Sequence, residues 1–277
     1  MKTPSELLPK LDYNRVSEYL TISLRGYFEK ARRKTGIIGL SGGLDSSVVA
    51  YLTVKALGRE GTRLYILPSK ATPQEDIEDA MNIVKQLNIP GENWKMINID
   101  PIVEVFEKLL GPMGRVEKGN VMARSRMIML YHEAAVHGGL VIGTGDRSEI
   151  LLGYFTKYGD GGADLFPIGG LYKTMVKGLA EHLGVPEKIR SKPASPALWP
   201  GQTAEGEIGI DYDTLDAILY LKFEKSFGEK EIQKTLGTSP GTVRTVLERI
   251  RLNQHKRRMP RVFPVDYGKM RLRKHAQ

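Results

Sequence analysis

Short apolar runs of strand length alternate along the chain with longer segments whose apolar residues recur at helical spacing. The strand candidates are "GIIGLS" (36–41), "TRLYILP" (62–68), "WKMINID" (94–100) and "LVIGTG" (140–145). Between them the helical period predicts helices over 44–57, 73–87, 101–110 and 120–137, and a further helix over 13–34 precedes the first strand. Thr72 and Pro73, followed by Glu75 and Asp76, make a favourable helix start. Strands that lack polar alternation are buried on both faces, and helical crossovers between such strands join parallel neighbours in the right-handed sense. The pattern therefore predicts an α/β fold, a doubly wound parallel sheet flanked by helices.

Beyond residue 145 the texture changes. "GYFTKYGDGGADLFPIGG" (153–170) is too rich in glycine and aromatics for a regular element, and long loops in compact domains tend to be functional. A helix follows in "KTMVKGLAEHLG", then the proline-rich "PEKIRSKPASPALWPGQTAEGEIG", then short helices over 213–258. This organisation is expected to form a single unit over 1–277. Its nucleotide-binding core would span 13–185, a C-terminal helical portion 186–264, and a basic tail 265–277.

The first strand runs into "GLSGGLDSS" (39–47), a glycine turn that opens a helix. Backbone N–H groups at such a helix start point at whatever docks there, which suits phosphate. A Walker loop would carry a lysine, but none lies between residues 35 and 54; an aspartate, Asp45, stands in the turn instead. Its charge would repel phosphate unless a cation lay between them, and Mg²⁺ bridging carboxylate and phosphate oxygens meets that need. Glu149 begins a helix just after the fourth strand, on the same carboxyl-end rim as Asp45 and Thr144, where doubly wound sheets hold their ligands.

"SGGLDS" resembles the pyrophosphate loop of the N-type ATP pyrophosphatases, which adenylate a substrate and release pyrophosphate. "GTGDRSEILLGYFTKYGDGGADLFPIGGLYKT" (143–174) resembles a block of the NAD synthetase family within that superfamily. The resemblance runs from about residue 15 to residue 264. It implies an adenine nucleotide alpha hydrolase-like fold with a C-terminal helical portion. The implied activity is the ATP-dependent conversion of deamido-NAD to NAD with ammonia, through an acyl adenylate, releasing AMP and pyrophosphate. ATP would then fall on Gly39, Leu40, Ser41, Gly42, Gly43, Leu44, Asp45, Ser46, Thr144, Lys173 and Ser195, the last standing where the family more often has threonine. Mg²⁺ would fall on Asp45 and Glu149. Deamido-NAD would fall on Arg124 in "GNVMARSRM", on Phe155, Lys157, Tyr158 and Asp164, and on His255 and Lys256 in "HKRRMP". Lys173 is expected to serve the phosphates and Asp160 to handle the ammonium proton. "EIGIDYDTLD" (207–216) matches a further family segment, and the resemblance also implies a homodimer with substrate at the interface.

Composition narrows this picture. The chain contains no cysteine, which excludes disulfides, thiolate metal sites and the cysteine-dependent amidotransferase chemistry that draws ammonia from glutamine. Free ammonia is thus the expected donor, unless a separate glutaminase subunit supplies it. No apolar run approaches the ~20 residues that span a bilayer, and the first residues lack the apolar core of a signal peptide, so the expected location is the cytoplasm. The formal net charge is +9, and the eleven Lys and Arg from Arg244 onward, against Glu248 and Asp266, account for all of it. "GEKEIQKTLGTSPGTVRTVLERIRLNQHKRR" (228–258) has the rhythm of a helix-turn-helix, which offers a rival reading as a nucleic-acid-binding or tRNA-modifying protein. Against that rival, the basic segment contains the His255–Lys256 match, and a dinucleotide pyrophosphate already needs cations.

Overall fold

The computed structural model describes residues 3–267; residues 268–277, which make up most of the basic tail, lie outside the described residues. Helix α1 (Tyr13–Lys30) leads into β1 (Gly36–Gly39), α2 (Leu44–Leu57), β2 (Thr62–Ile66), α3 (Gln74–Gln86), β3 (Trp94–Met96), α4 (Asp100–Leu110), α5 (Arg115–Val136) and β4 (Leu140–Val141). The four strands form one parallel sheet in the order β3-β2-β1-β4, as the crossover pattern predicts. Chain order reverses direction between β1 and β4, so a crevice opens beyond their carboxyl ends.

Alternate strand residues serve two cores, which explains why the strands read as unbroken apolar runs. Ile38, Leu40, Leu64 and Ile66 pack with α1, α2 and the helices that follow the sheet. Ile37, Tyr65 and Val141 face the other way, onto Ile99, Val103, Met122 and Ala134 from the start of α4 and from α5.

Helix α1 and strands β1 and β2 end two to four residues short of the pattern, and three further boundaries differ from it for a local reason each. The third strand ends at Met96 because the Asn98 side chain accepts from the Asp100 N–H at 2.8 Å and Pro101 suits a first helical turn, so α4 begins there. Helix α5 starts at Arg115 and passes straight through Gly119, which lets Leu198 and Trp199 approach to within 3.1–3.3 Å of where a Cβ would sit. Strand β4 is short, and Ile142 instead bridges in parallel to Leu165, drawing the glycine-aromatic loop alongside the sheet.

After β4 come α6 (Arg147–Leu152), the loop, α7 (Lys173–Leu183), α8 (Glu187–Arg190), α9 (Ala204–Ile208), α10 (Tyr212–Phe223), α11 (Glu229–Leu236) and α12 (Pro240–Leu252). Buried Leu215, Ile218, Ile232, Val243 and Ile250 join the same apolar cluster as Leu24 and Val49. The end of α12 is pinned to the end of α6. Asn253 Nδ2 donates to Leu152 O at 3.1 Å, Lys256 Nζ to Gly153 O and Phe155 O at 2.8 Å each, and Arg257 to Leu151 O. Among the described residues no helix is long and apolar enough to cross a membrane.

The glycine loop has one strict steric requirement. Gly42 has φ +79°, and a Cβ there would lie 2.0 Å from the Asp76 carbonyl oxygen of α3. Gly42→Ala should therefore lower the unfolding free energy by ~1–3 kcal/mol from backbone strain alone, with the clash added. Chemical denaturation of the two proteins checks this, and equal stabilities would contradict it.

Candidate active site

Three helix starts converge beyond β1 and β4. Asp45 sits in the first turn of α2, with Gly43 as the N-cap; Asp146 N-caps α6, and Lys173 is the first residue of α7. The Lys173 ammonium, 1% exposed, lies 2.7 Å from Asp45 Oδ2, 2.9 Å from Asp146 Oδ2 and 2.9 Å from Glu149 Oε1. Its fourth neighbour is the Tyr212 ring, 5.3 Å away on α10. Among the described residues Asp45, Asp146 and Glu149 form a group whose ligand atoms lie within 4.8 Å of one another.

Asp146 was not singled out by sequence reasoning. Its signal was the spacing Asp-x-x-Glu at a helix start: Asp146 Oδ1 accepts from Glu149 N at 2.8 Å, which completes a capping box. That bond leaves Oδ2 for the ammonium.

Burial governs the protonation of this cluster. Desolvation pushes the Glu149 carboxyl up to about 8, with Lys173 opposing and Asp146 and Asp45 reinforcing the rise. Asp146, fully buried, is raised for the same first reason. Lys173 is held well above its ordinary value; burial works against its charge, and the three carboxylates overcome it. Desolvation also raises the Tyr212 phenol, whose buried hydroxyl has no hydrogen-bond partner.

The glycine loop adjoins this cluster. Ser46 Oγ donates to Gly43 O at 3.1 Å and lies 3.1 Å from Ser41 Oγ; Ser47 Oγ donates to Gly43 O at 2.8 Å. These bonds fix the turn from below. They leave the N–H groups of Leu44, Asp45 and Ser46 in the first helical turn, where no intrahelical acceptor exists. Gly39 and Leu40 end the strand, and Thr144 lies beyond the end of β4 on the same rim.

A second group surrounds the loop after α6. Arg124 Nε donates to Lys157 O at 3.3 Å, the Lys157 ammonium lies 5.2 Å from the Tyr158 ring, and Lys256 Nζ lies 5.6 Å from the Phe155 ring. Thr156 N donates to Asp160 Oδ1 at 2.8 Å, a bond that folds the loop back on itself. Asp160 is open to solvent, yet the crowding around it raises its carboxyl, against Thr156 N–H, Lys256 and Arg126. His255 is exposed beside Lys256.

Two further predicted residues are held by bonds to neighbouring segments. The Asp164 carboxylate accepts from Val141 N at 2.7 Å and from the Tyr131 hydroxyl at 3.3 Å, which ties the loop to β4 and α5. Ser195 Oγ donates to Gln202 O at 2.7 Å and accepts from Ala197 N, closing a turn in the proline-rich segment.

Residues 16–260 match the family model described as NAD synthase. The chain belongs to the NAD synthase family. It is 51% identical over 256 residues to the NH(3)-dependent NAD(+) synthetase of Sulfurisphaera tokodaii, covering 91% of this chain and 90% of that protein. Among solved structures, the NH3-dependent NAD synthetase from Campylobacter jejuni matches with a TM-score of 0.78 at 29% identity, over 92% of this chain and all of that one. The NMN synthetase from Francisella tularensis matches with a TM-score of 0.80 at 33% identity, over 92% of this chain and 99% of that one. Family members thus share this α/β framework while carrying names for different nucleotide products.

The donors fit a hard divalent cation. All three are carboxylates, the oxygen ligands that Mg²⁺ takes, and Asp45 Oδ1 is a buried acceptor with no hydrogen-bond partner. Lys173 meanwhile supplies the positive charge that this oxygen cluster needs.

A carboxyl raised on folding loses protons in the unfolded chain first. The unfolded state then binds fewer protons, so Glu149 lowers stability as pH rises from its ordinary range toward about 8. Glu149→Gln should flatten that part of the decline. Melting temperatures from pH 5 to 8 in metal-free buffer check it; a profile parallel to the parent's would contradict it.

Proposed function

We propose that this chain amidates deamido-NAD to NAD with ammonia, at the expense of ATP; its Sulfurisphaera tokodaii relative is named an NH(3)-dependent NAD(+) synthetase, which supports the product and the nitrogen donor. The observation that carries the site assignment is the buried Lys173, bound to Asp45, Asp146 and Glu149 beside the glycine loop. An oxygen of the pyridine carboxylate attacks the α-phosphorus of ATP, and the α–β bridging P–O bond breaks to release pyrophosphate. Ammonia then attacks the carbonyl carbon of the acyl adenylate. The C–O bond to AMP breaks, and the surplus proton leaves the nitrogen.

The protein's part is positioning and charge neutralisation. The amides of Gly39 to Ser46 and the ammonium of Lys173 receive the phosphates, with Thr144 and Ser195 on the ATP side. Asp45 and Glu149 would hold Mg²⁺, with Asp146 able to add a third oxygen, and the ion would offset charge on the phosphate oxygens. Arg124, Phe155, Lys157, Tyr158, Asp164, His255 and Lys256 form the dinucleotide side. Asp160, exposed and raised, accepts the ammonium proton. Nothing in this chain can act as a cysteine nucleophile, so free ammonia is the donor. The substrates are cytoplasmic metabolites, and we place the reaction in the cytoplasm.

Residues 1–277 work as one synthetase unit in this reading, since α10 and the end of α12 both reach the site from the C-terminal portion. We assign a homodimer whose contact includes Tyr27, Ile128 and Tyr131. All three are exposed, and both tyrosine hydroxyls converge on Asp164 at 3.3 Å. The basic segment after α12 does not favour a nucleic-acid role, because Arg257 is held by the carbonyls of Leu151 and Ile250 and Lys256 is assigned to the dinucleotide side.

Incubation with ATP, Mg²⁺, ammonium and deamido-NAD should yield NAD and equimolar AMP. The corresponding mononucleotide, or glutamine in place of ammonium, should serve far less well. No NAD, together with salt-sensitive binding to duplex DNA or tRNA, would refute the proposal. Asp45→Ala should lower kcat/KM by ~100-fold or more if it holds the cation against the phosphates; unimpaired pyrophosphate release would remove it from that role. Sedimentation should give a dimer that Tyr131→Asp weakens, and a monomer for the parent chain would exclude the interface.

A further inference from the structure

We propose that Asp216 on α10 is the positioning residue that sets Lys173 in the site. This rests on the reading of Lys173 as a residue of the phosphate and metal site. Asp216 is fully buried, on the same helical stripe as Tyr212, Leu215 and Leu219. A carboxylate on such an apolar stripe is costly unless every oxygen is bonded, and here each is. Oδ1 accepts from Ser148 Oγ at 2.5 Å, while Oδ2 accepts from both Thr174 N and Thr174 Oγ1 at 2.8 Å. Ser148 Oγ in turn accepts from Lys173 N at 3.1 Å.

The two Thr174 bonds end directly on the first turn of α7, and the third reaches it through Ser148 of α6, which accepts from Lys173 N. The N-cap of α7, Tyr172, makes no side-chain cap bond, so the orphan donor of Thr174 is satisfied by Asp216 of α10 and that of Lys173 by Ser148 of α6, itself bonded to Asp216. Asp216 thereby replaces the local cap with a long-range one and fixes where the Lys173 backbone sits. Ser148 precedes Glu149, so the same bridge spaces α6 from α7. Tyr212, one helical turn before Asp216, places its ring against the Lys173 ammonium. One face of α10 thus holds both the backbone and the charged tip of this lysine. Displacements near 1 Å cost reaction geometry ~100-fold, which gives such a remote anchor its leverage.

The test uses the full chain. Asp216→Asn keeps the volume but exchanges one acceptor for a donor. It should lower kcat/KM for ATP by ~10–100-fold and weaken Mg·ATP binding, read by calorimetry, by a similar factor. The same substitution in a Lys173→Gln background should add less than ~2-fold, because linked residues are not additive. A wholly structural cap would lower the melting temperature with ATP binding unchanged, or give the same factor in both backgrounds; either result overturns the proposal. If Asp216→Asn does not fold, Thr174→Val removes one bond to Asp216 and should show a smaller loss with the same non-additivity. Full activity in Lys173→Gln would overturn the site reading and this proposal together. An inactive Lys173→Gln beside a fully active Asp216→Asn would overturn this proposal alone.

Discussion

A lysine buried to 1% exposure at the first residue of a helix is in the wrong place twice over. Burial removes water from its charge, and the helix N-terminus adds a partial positive charge of its own. Lys173 is stable there because three carboxylates from two other helix starts meet it. Those carboxylates are in turn tolerable without a metal because Lys173 meets them. Neither half of the cluster could be buried alone, so the two assemble as one object. The sheet order makes the meeting possible: the reversal between β1 and β4 lets α2 and α6 begin side by side.

The C-terminal helices complete that object. α10 supplies Tyr212 and Asp216 from one face, and the segment after α12 closes the open carbonyl end of α6 with Asn253, Lys256 and Arg257. Helix α6 is six residues long and would be marginal by itself. It is held at its start by Asp146 and at its end by cations. This places part of the chain's positive excess within the fold, where it offsets carbonyl dipoles.

Much of this was legible in the sequence, and for identifiable reasons. The parallel sheet followed from unbroken apolar runs, and Asp45 from a glycine turn bounded by a buried strand and a helix. Lys173 was found from a family block, and Asp45 and Glu149 from their helix starts, but Asp146 and the ion pairs to Lys173 were not, since neither has a local periodic signal. Asp146 could have been found from the capping-box spacing to Glu149. Asp216 had a clearer trace, since a carboxylate in register with Tyr212, Leu215 and Leu219 on a buried stripe demands partners. Which partners it finds depends on how α10 crosses α6 and α7, and that is a tertiary fact. The partners of Asp164 and Ser195 were likewise hidden, because Val141 N and Tyr131 meet Asp164, and Gln202 O meets Ser195, only in the folded chain.

The quartet, buried at Lys173 and Asp146 and 22% and 21% exposed at Asp45 and Glu149, has a thermal consequence. The hydration of charged groups carries a negative entropy, so the free energy lost on drying Lys173, Asp45, Asp146 and Glu149 shrinks on heating. The attraction among them, set by distances below 3 Å to the ammonium, is already fixed by the fold. Apolar burial, by contrast, yields little further gain at high temperature. The cluster therefore shifts from a burden on the cool protein toward a contributor in the hot one, and stability on heating and the meeting of these helix starts draw on the same four side chains.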